Sequence, residues 1–338
     1  MTLTDTPPTF REDTHGATSA GRIFKSVGQR YALVVIWLAM ILMFTAITGG
    51  SFFNINNFIN MFTSQSVLLV IALGVVLPLT TNDFDLSIGS VLTLSSMLVV
   101  TLNAKLGVPL LVAVAAALAA GLLVGAVNSA LIVGLKVDSF IVTLGMSTLV
   151  LGVVYWFSGS APVTGVDPVL VDVVLRTRPA GISMIFFYGL FLTLVVWYLL
   201  ELTPLGRKML FIGRGASVAR LSGVKVGRVR VFALMGCSFM AALAGILFAG
   251  TTGGADPTSG ATFLLPAFAA VFLGTTVVKP GRMNAWGTLI AVYFLVTGIS
   301  GLQQLGVQNY VQQLFYGAAL LIAVTISTIL KRRTAGRP

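Results

Sequence analysis

Apolar residues in this chain come in long runs rather than in alternation with polar ones. Ten runs can be marked, at about residues 31–48, 64–82, 86–104, 108–133, 139–158, 183–200, 231–252, 263–278, 286–304 and 311–330. Most approach the roughly 20 apolar residues that a helix needs to cross the hydrocarbon core of a bilayer. The pattern predicts an all-α polytopic membrane protein with about ten transmembrane helices and mostly short loops. Two loops are longer: 159–182, with Pro162, Pro168 and Pro179, and 201–230.

Composition agrees with the pattern. Of 338 residues, 57% are hydrophobic and 9% charged, against about 25% charged in a soluble domain. Ten spans with their loops use nearly the whole chain and leave no room for a large soluble domain. The stretch 1–30 is mostly polar, contains Pro7 and Pro8, and ends in a basic patch with Arg22, Lys25 and Arg30. The first apolar run is long for a signal-peptide core and has no clear small-residue cleavage site, so it reads as a retained span.

The net charge is +11. Lys and Arg cluster between apolar runs, which is the bias expected of cytoplasmic loops, so a nucleic-acid partner is not indicated. With the N-terminus inside, six spans bring the 201–230 loop back to the cytoplasm with Arg207, Lys208, Arg214, Arg220, Lys225, Arg228 and Arg230 against the single acid Glu201. Lys136, Lys279, Arg282, Lys331, Arg332 and Arg333 also fall inside, while Lys105, Arg176 and Arg178 fall outside. The count gives an even layout: a cytoplasmic segment 1–30, a membrane domain 31–330 and a cytoplasmic tail 331–338, with both termini inside. One cysteine, Cys237, and one histidine, His15, allow no intrachain disulfide and no zinc cluster.

An internal repeat is visible. Asp85-Leu-Ser-Ile-Gly-Ser90 opens the third run and Asp256-Pro-Thr-Ser-Gly260 opens the eighth. Units five spans apart cross the membrane in opposite directions, which is the inverted repeat found in many transporters.

Three stretches carry candidate chemistry. Thr80-Thr-Asn-Asp-Phe-Asp-Leu-Ser-Ile-Gly-Ser90 sets Asp83 and Asp85 between two closely spaced spans, with Asn82, Ser87 and Ser90 adding hydrogen-bonding groups. An acid near the bilayer interior faces a polar pathway or a partner, which reads as a re-entrant turn lining a substrate pathway. An interfacial turn in water, with Ser87 capping the next helix, explains the same residues. The 201–230 loop has room for a short helix over about Ser217–Ser222 with Gly215 and Gly223 at its ends. Such a helix suits docking to a soluble partner, or the loop rests on anionic lipid headgroups. Lys279-Pro-Gly-Arg-Met-Asn284 reads as a tight turn. The small residues around Gly121 and Gly125 read as close helix packing. No phosphate loop, His-Glu-x-x-His or Gly-x-Ser-x-Gly motif occurs, so neither ATP hydrolysis nor a membrane hydrolase is signalled.

Several ordered motifs bring a resemblance. Asp85-Leu-Ser-Ile-Gly-Ser90, Ser139-Phe-Ile-Val-Thr-Leu-Gly145, Thr203-Pro-Leu-Gly-Arg207, Ala219-Arg-Leu-Ser-Gly-Val224, Ala269-Ala-Val-Phe-Leu-Gly274 and Gly287-Thr-Leu-Ile290 resemble the permease subunits of bacterial ribose-type ABC importers over about residues 31–330. The resemblance implies a permease in the bacterial inner membrane that imports a monosaccharide or small polyol and performs no covalent chemistry. It implies a second permease copy, two ATPase subunits and a periplasmic sugar-binding protein as partners, and no cofactor. It makes Arg214, Gly215, Ala219, Arg220, Leu221, Ser222 and Gly223 the coupling segment that meets the ATPase, with Asn82, Asp83, Asp85, Ser87 and Ser90 as pathway residues. The chain departs from the family pattern at Asn82-Asp83-Phe84, where Gly-Gly-Ile is frequent, and at Lys279-Pro280. The rival expectation is a proton- or sodium-coupled secondary transporter using Asp83 or Asp85.

Overall fold

The computed structural model describes the backbone of residues 19–308 and 310–335, and side chains from Tyr31 to Thr328 apart from residue 309. Pro7, Pro8, His15 and the last residues of the tail lie outside the described residues. The helices in chain order are α1 Ser19–Ile47, α2 Ile55–Ser64, α3 Ser66–Thr80, α4 Ile88–Val100, α5 Leu110–Ser129, α6 Ser139–Ser158, the single turn α7 Pro168–Val171, α8 Met184–Leu202, α9 Pro204–Arg214, α10 Ala216–Leu221, α11 Val226–Thr252, α12 Ala261–Gly274, α13 Ala285–Gln304 and α14 Tyr310–Ala335. Among the described residues seven helices are long and apolar enough to span a bilayer singly, and α2 with α3, bent by 44°, passes the same test as a pair. Tyr31–Ile47 and Ala261–Gly274 are shorter apolar helices. Each of the ten runs thus carries an apolar helix. The amphipathic α2 before the second run was not foreseen, because Ile55-Asn-Asn-Phe-Ile-Asn60 is too polar to read as part of a span.

Local chemistry sets the helix ends. Asn54 caps α2, Asp138 accepts from the Phe140 and Ile141 amides at the start of α6, and Asn284 accepts from the Gly287 amide at 2.6 Å to start α13. These side chains satisfy amides that have no partner inside the helix. Thr203 caps α9, with Pro204 in the first turn where its missing amide costs nothing. α4 and α5 each end in a π-helical turn, Thr101–Lys105 and Ala130–Gly134.

The core is built around α3 and α11. Every residue of α3 is buried, and α11 packs against α3, α4 and α5. Lipid tails give apolar helices no hydrophobic reason to associate, so close van der Waals fit must hold them. A methyl added at Gly121 would lie 2.5 Å from the Ala242 Cβ, and one at Gly125 would lie 2.8 Å from the Ser238 Cβ, as expected for a small-residue packing face. α5, α6 and α14 turn apolar side chains outward, among them Leu111, Trp156 and Leu321, as a lipid-facing layer does.

Among the described residues two short strands join distant loops. β1, Val163–Thr164, pairs antiparallel with β2, Gly254–Ala255, in register Val163 to Ala255 and Thr164 to Gly254. The long 159–182 loop is thereby fastened to the turn before α12.

Candidate functional site

Residues 81–87 connect α3 to α4 and alternate, with Asp83, Asp85 and Ser87 buried and Asn82 and Phe84 exposed. Asp83 is 2% exposed and Asp85 1%. The segment climbs along the first turns of α6: the Phe84 amide donates to Ser139 Oγ at 3.1 Å and the Leu86 amide to Thr143 Oγ1 at 3.0 Å. Two residues advance per helical turn, the stride of extended chain beside a helix. The segment is thus packed along α6 with its two carboxylates turned inward.

Each predicted residue on this segment has a specific place. Asn82, exposed and in a left-handed backbone conformation (φ 62°), donates from Nδ2 to the Gly213 carbonyl at 2.7 Å. Asp83 takes a two-pronged ion pair from Arg230 on α11, with Arg230 Nε 2.8 Å from Oδ2, and accepts from Thr81 Oγ1 at 3.0 Å. A buried carboxylate is held by a planar guanidinium that matches both oxygens. Asp85 Oδ1 accepts from the Ser87 amide at 2.9 Å and from Ser87 Oγ at 2.5 Å. Asn128 on α5 in turn donates to Ser87 Oγ at 2.9 Å. Ser90 donates to the Ser87 carbonyl and is buried.

The second repeat unit repeats this bonding. Asp256 Oδ1 accepts from the Thr258 amide at 2.7 Å and from Thr258 Oγ1 at 2.5 Å. Asp85, Ser87 and Gly89 therefore correspond to Asp256, Thr258 and Gly260. The two turns meet: the Gly260 amide donates to Thr93 Oγ1 at 3.0 Å, and a methyl on Gly260 would fall 1.9 Å from the Gly89 carbonyl oxygen. α4, α5, α6, α8 and α11 lie between the starts of α4 and α12, so an odd number of crossings separates them. The starts of α4 and α12 share one contact.

The predicted coupling residues form a separate protrusion. A short helix occupies Ala216–Leu221, close to the expected Ser217–Ser222. Gly215 precedes it, and Gly223 follows in the left-handed region (φ 79°), which a side chain would strain. Ala219 is buried and anchors the helix, Ser222 is exposed, and Leu221 is 89% exposed at its tip beside Arg220. At the base of this segment Gly213 lies so close to α3 that an added methyl would be 2.2 Å from the Thr80 carbonyl oxygen. Leu79, Thr80, Asn82, Leu210, Gly213, Arg214 and the Pro280–Met283 turn line a cleft of about 600 Å³. Of the predicted pathway residues only Asn82 lines it. The turn is also fixed by an ion pair from Lys279 to Glu201.

Sequence reasoning missed Arg230 as the partner of Asp83, Asn128 as the partner of Ser87, and Thr93 at the helix contact. Arg230 stood in the sequence as one of several basic loop residues, with no local sign that it turns inward. No group of three or more His, Cys, Asp or Glu residues suited to a metal occurs among the described residues.

The family model described as "Branched-chain amino acid transport system / permease component" matches residues 57–324. The ribose import permease protein RbsC of Escherichia coli (strain K12) is 34% identical over 296 residues, covering 86% of this chain and 92% of that protein. The ribose import permease protein RbsC of Bacillus subtilis (strain 168) is 32% identical, covering 86% and 90%. The galactose/methyl galactoside import permease protein MglC of Escherichia coli (strain K12) is 29% identical, covering 89% and 94%. No solved structure matches the chain.

Proposed function

This chain belongs to the branched-chain amino acid transport system / permease component family, and from that premise we propose that it is the membrane-spanning subunit of an ATP-driven importer for a monosaccharide or related small polyol. It is a multi-pass inner-membrane permease. The family description names amino acids, but the relatives compared are import permeases for ribose and galactosides, which favours a sugar. Nothing among them supports a proton- or sodium-coupled secondary transporter.

In this reading the end of the chain carrying α9 and α10 faces the cytoplasm, both termini lie on that side, and ATP is hydrolysed by a separate subunit. Two copies of the permease form the pathway, and a periplasmic binding protein delivers the sugar. Arg214 to Gly223 dock on the ATPase. Asn82 lines the cytoplasmic mouth, and Asp83, Asp85, Ser87 and Ser90 form the wall behind the pathway.

The single observation that carries this reading is the link between residues 81–87 and the helices on either side of α10. An apolar-tipped helix stands out of the molecule, and the two helices that flank it are tied to residues 81–87, α9 through Asn82 with Gly213 and α11 through Asp83 with Arg230. Displacing the helix pulls on that segment and thereby on α4, so a nucleotide-driven movement at a partner can bias two states of the permease.

The test is a pull-down of the tagged chain in mild detergent. An ATPase subunit is expected to co-purify with the native chain and to be lost, by about tenfold or more, from Leu221→Asp, while the amount of folded permease is unchanged. Recovery of no ATPase by the native chain, with uptake following an ion gradient, overturns the reading.

A further inference from the structure

The hydrogen bonds around Asp85 run in one direction and leave a remainder. Ser87 Oγ spends its proton on Asp85 Oδ1, so it can only accept from Asn128, which fixes the amide with Nδ2 toward Ser87. Asp85 Oδ2 and Asn128 Oδ1 are then left without hydrogen-bond partners, and both residues are at most 1% exposed. These oxygens belong to the two ends of one short chain bridged by a single hydroxyl.

Their neighbours do not satisfy them. The thiol of Cys237 faces the Asp85 carboxylate, but a thiol is a weak donor. Ser129, next to Asn128, and Ser238, next to Cys237, also carry buried hydroxyls without partners. Ser238 lies at a close approach of α5 and α11, beside Gly125. The ion pairs among the described residues are Arg176 with Asp172, Arg230 with Asp83 and Lys279 with Glu201, so no cationic side chain neutralises Asp85.

Two acceptor-only oxygens in a buried place call for a species that only donates charge or protons. The donor set is one carboxylate, one amide oxygen and hydroxyls, all hard oxygen ligands. One negative charge balances a monovalent ion, whereas a divalent ion would leave a net positive charge buried at a cost of several kcal/mol. We propose that Asp85 and Asn128, with the hydroxyls of Ser129 and Ser238, form a site for a resident monovalent cation, sodium, at the junction of α4, α5 and α11. The ion is a fixture of the fold that neutralises Asp85, and it is not carried with the substrate.

The experiment uses the full chain purified in detergent, and because it reads no uptake it is independent of the importer assignment. Sodium-22 binding at equilibrium is measured alongside thermal unfolding in sodium chloride, potassium chloride and choline chloride at one ionic strength. Saturable binding of about one sodium per chain is expected, with an unfolding midpoint about 3 °C or more higher in sodium than in choline. Asp85→Asn is expected to weaken sodium binding at least tenfold. Should that variant not fold, Ser129→Ala, which removes one neutral ligand, is expected to weaken binding several-fold. Absence of saturable sodium binding to the native chain, with superposable unfolding curves in the three salts, overturns the proposal and leaves ordered water or a proton on Asp85 to satisfy these oxygens. Unchanged sodium affinity in a folded Asp85→Asn variant overturns it equally.

Discussion

The turns at Asp85 and Asp256 share one hydrogen-bond design and differ in everything around it. In both, an aspartate accepts from the amide and the hydroxyl two residues on, and a glycine two residues further meets its counterpart. In the first turn Asp85 and Ser87 are both buried, and the turn is preceded by Asp83 in an ion pair and anchored to α6 and α11. The second has a half-buried Asp256 and an exposed Thr258, and is preceded by the strand that pairs with Val163–Thr164. The bonding is a local property of the Asp-x-Ser/Thr-x-Gly pattern. What the turn does depends on what surrounds it, and the first is the one joined to α9 and α11.

The contact that the two turns share is the place to break the comparison most severely. Gly260→Val forces a side chain into the Gly89 backbone, where no rotamer relieves the overlap. The expected cost is about 4 kcal/mol or more, seen as loss of a monodisperse peak in detergent gel filtration. A folded variant with near-native uptake would mean that the two helices separate freely at that point.

The next largest effect distinguishes the turns. Arg230→Ala leaves Asp83 as a buried charge without its partner, and is expected to destabilise by about 3–5 kcal/mol. The double variant Asp83→Asn with Arg230→Met is expected to regain a large part of that loss, because no charge is then stranded. Thermal unfolding of the set in detergent checks it, and equal midpoints for the single and double variants would show that the pair is not coupled. Asp256→Ala, in the more open turn, is expected to cost only about 1 kcal/mol.

The smallest effects sharpen the comparison at its shared bonds. Ser87→Ala removes the hydroxyl between Asp85 and Asn128 and leaves buried partners unmatched, at about 1–3 kcal/mol. Thr258→Ala removes the corresponding hydroxyl where water can replace it, at about 0.5–1 kcal/mol. Paired unfolding measurements that gave equal losses would contradict the difference in burial between the two turns.

Much of this was legible in the chain. The apolar runs located every large helix, because a span must be apolar along its length whatever it packs against. The pattern Gly215, a short apolar-basic stretch and Gly223 marked α10, since glycine is favoured where a helix stops in a left-handed turn. The repeated Asp-x-Ser/Thr-x-Gly pattern pointed to two equivalent turns. The spacing of Gly121 and Gly125 pointed to a close helix contact, which α11 supplies.

The sequence by itself determined the apolar helices, though not the amphipathic α2 and α9, and which residues have side chains able to bond within two or three positions. These are decided by neighbours along the chain, through spacing, capping and backbone freedom. Only the tertiary structure decided that Asp83 is matched by Arg230, that Asn82 holds Gly213, that Gly89 rests on Gly260, and that Asp85 keeps an oxygen without a partner. Each of these depends on how uniformly apolar helices dock side by side. In such helices hydrophobicity no longer distinguishes the packed face from the lipid face, so the fit of small residues sets the neighbours, and it does so only once the helices are together.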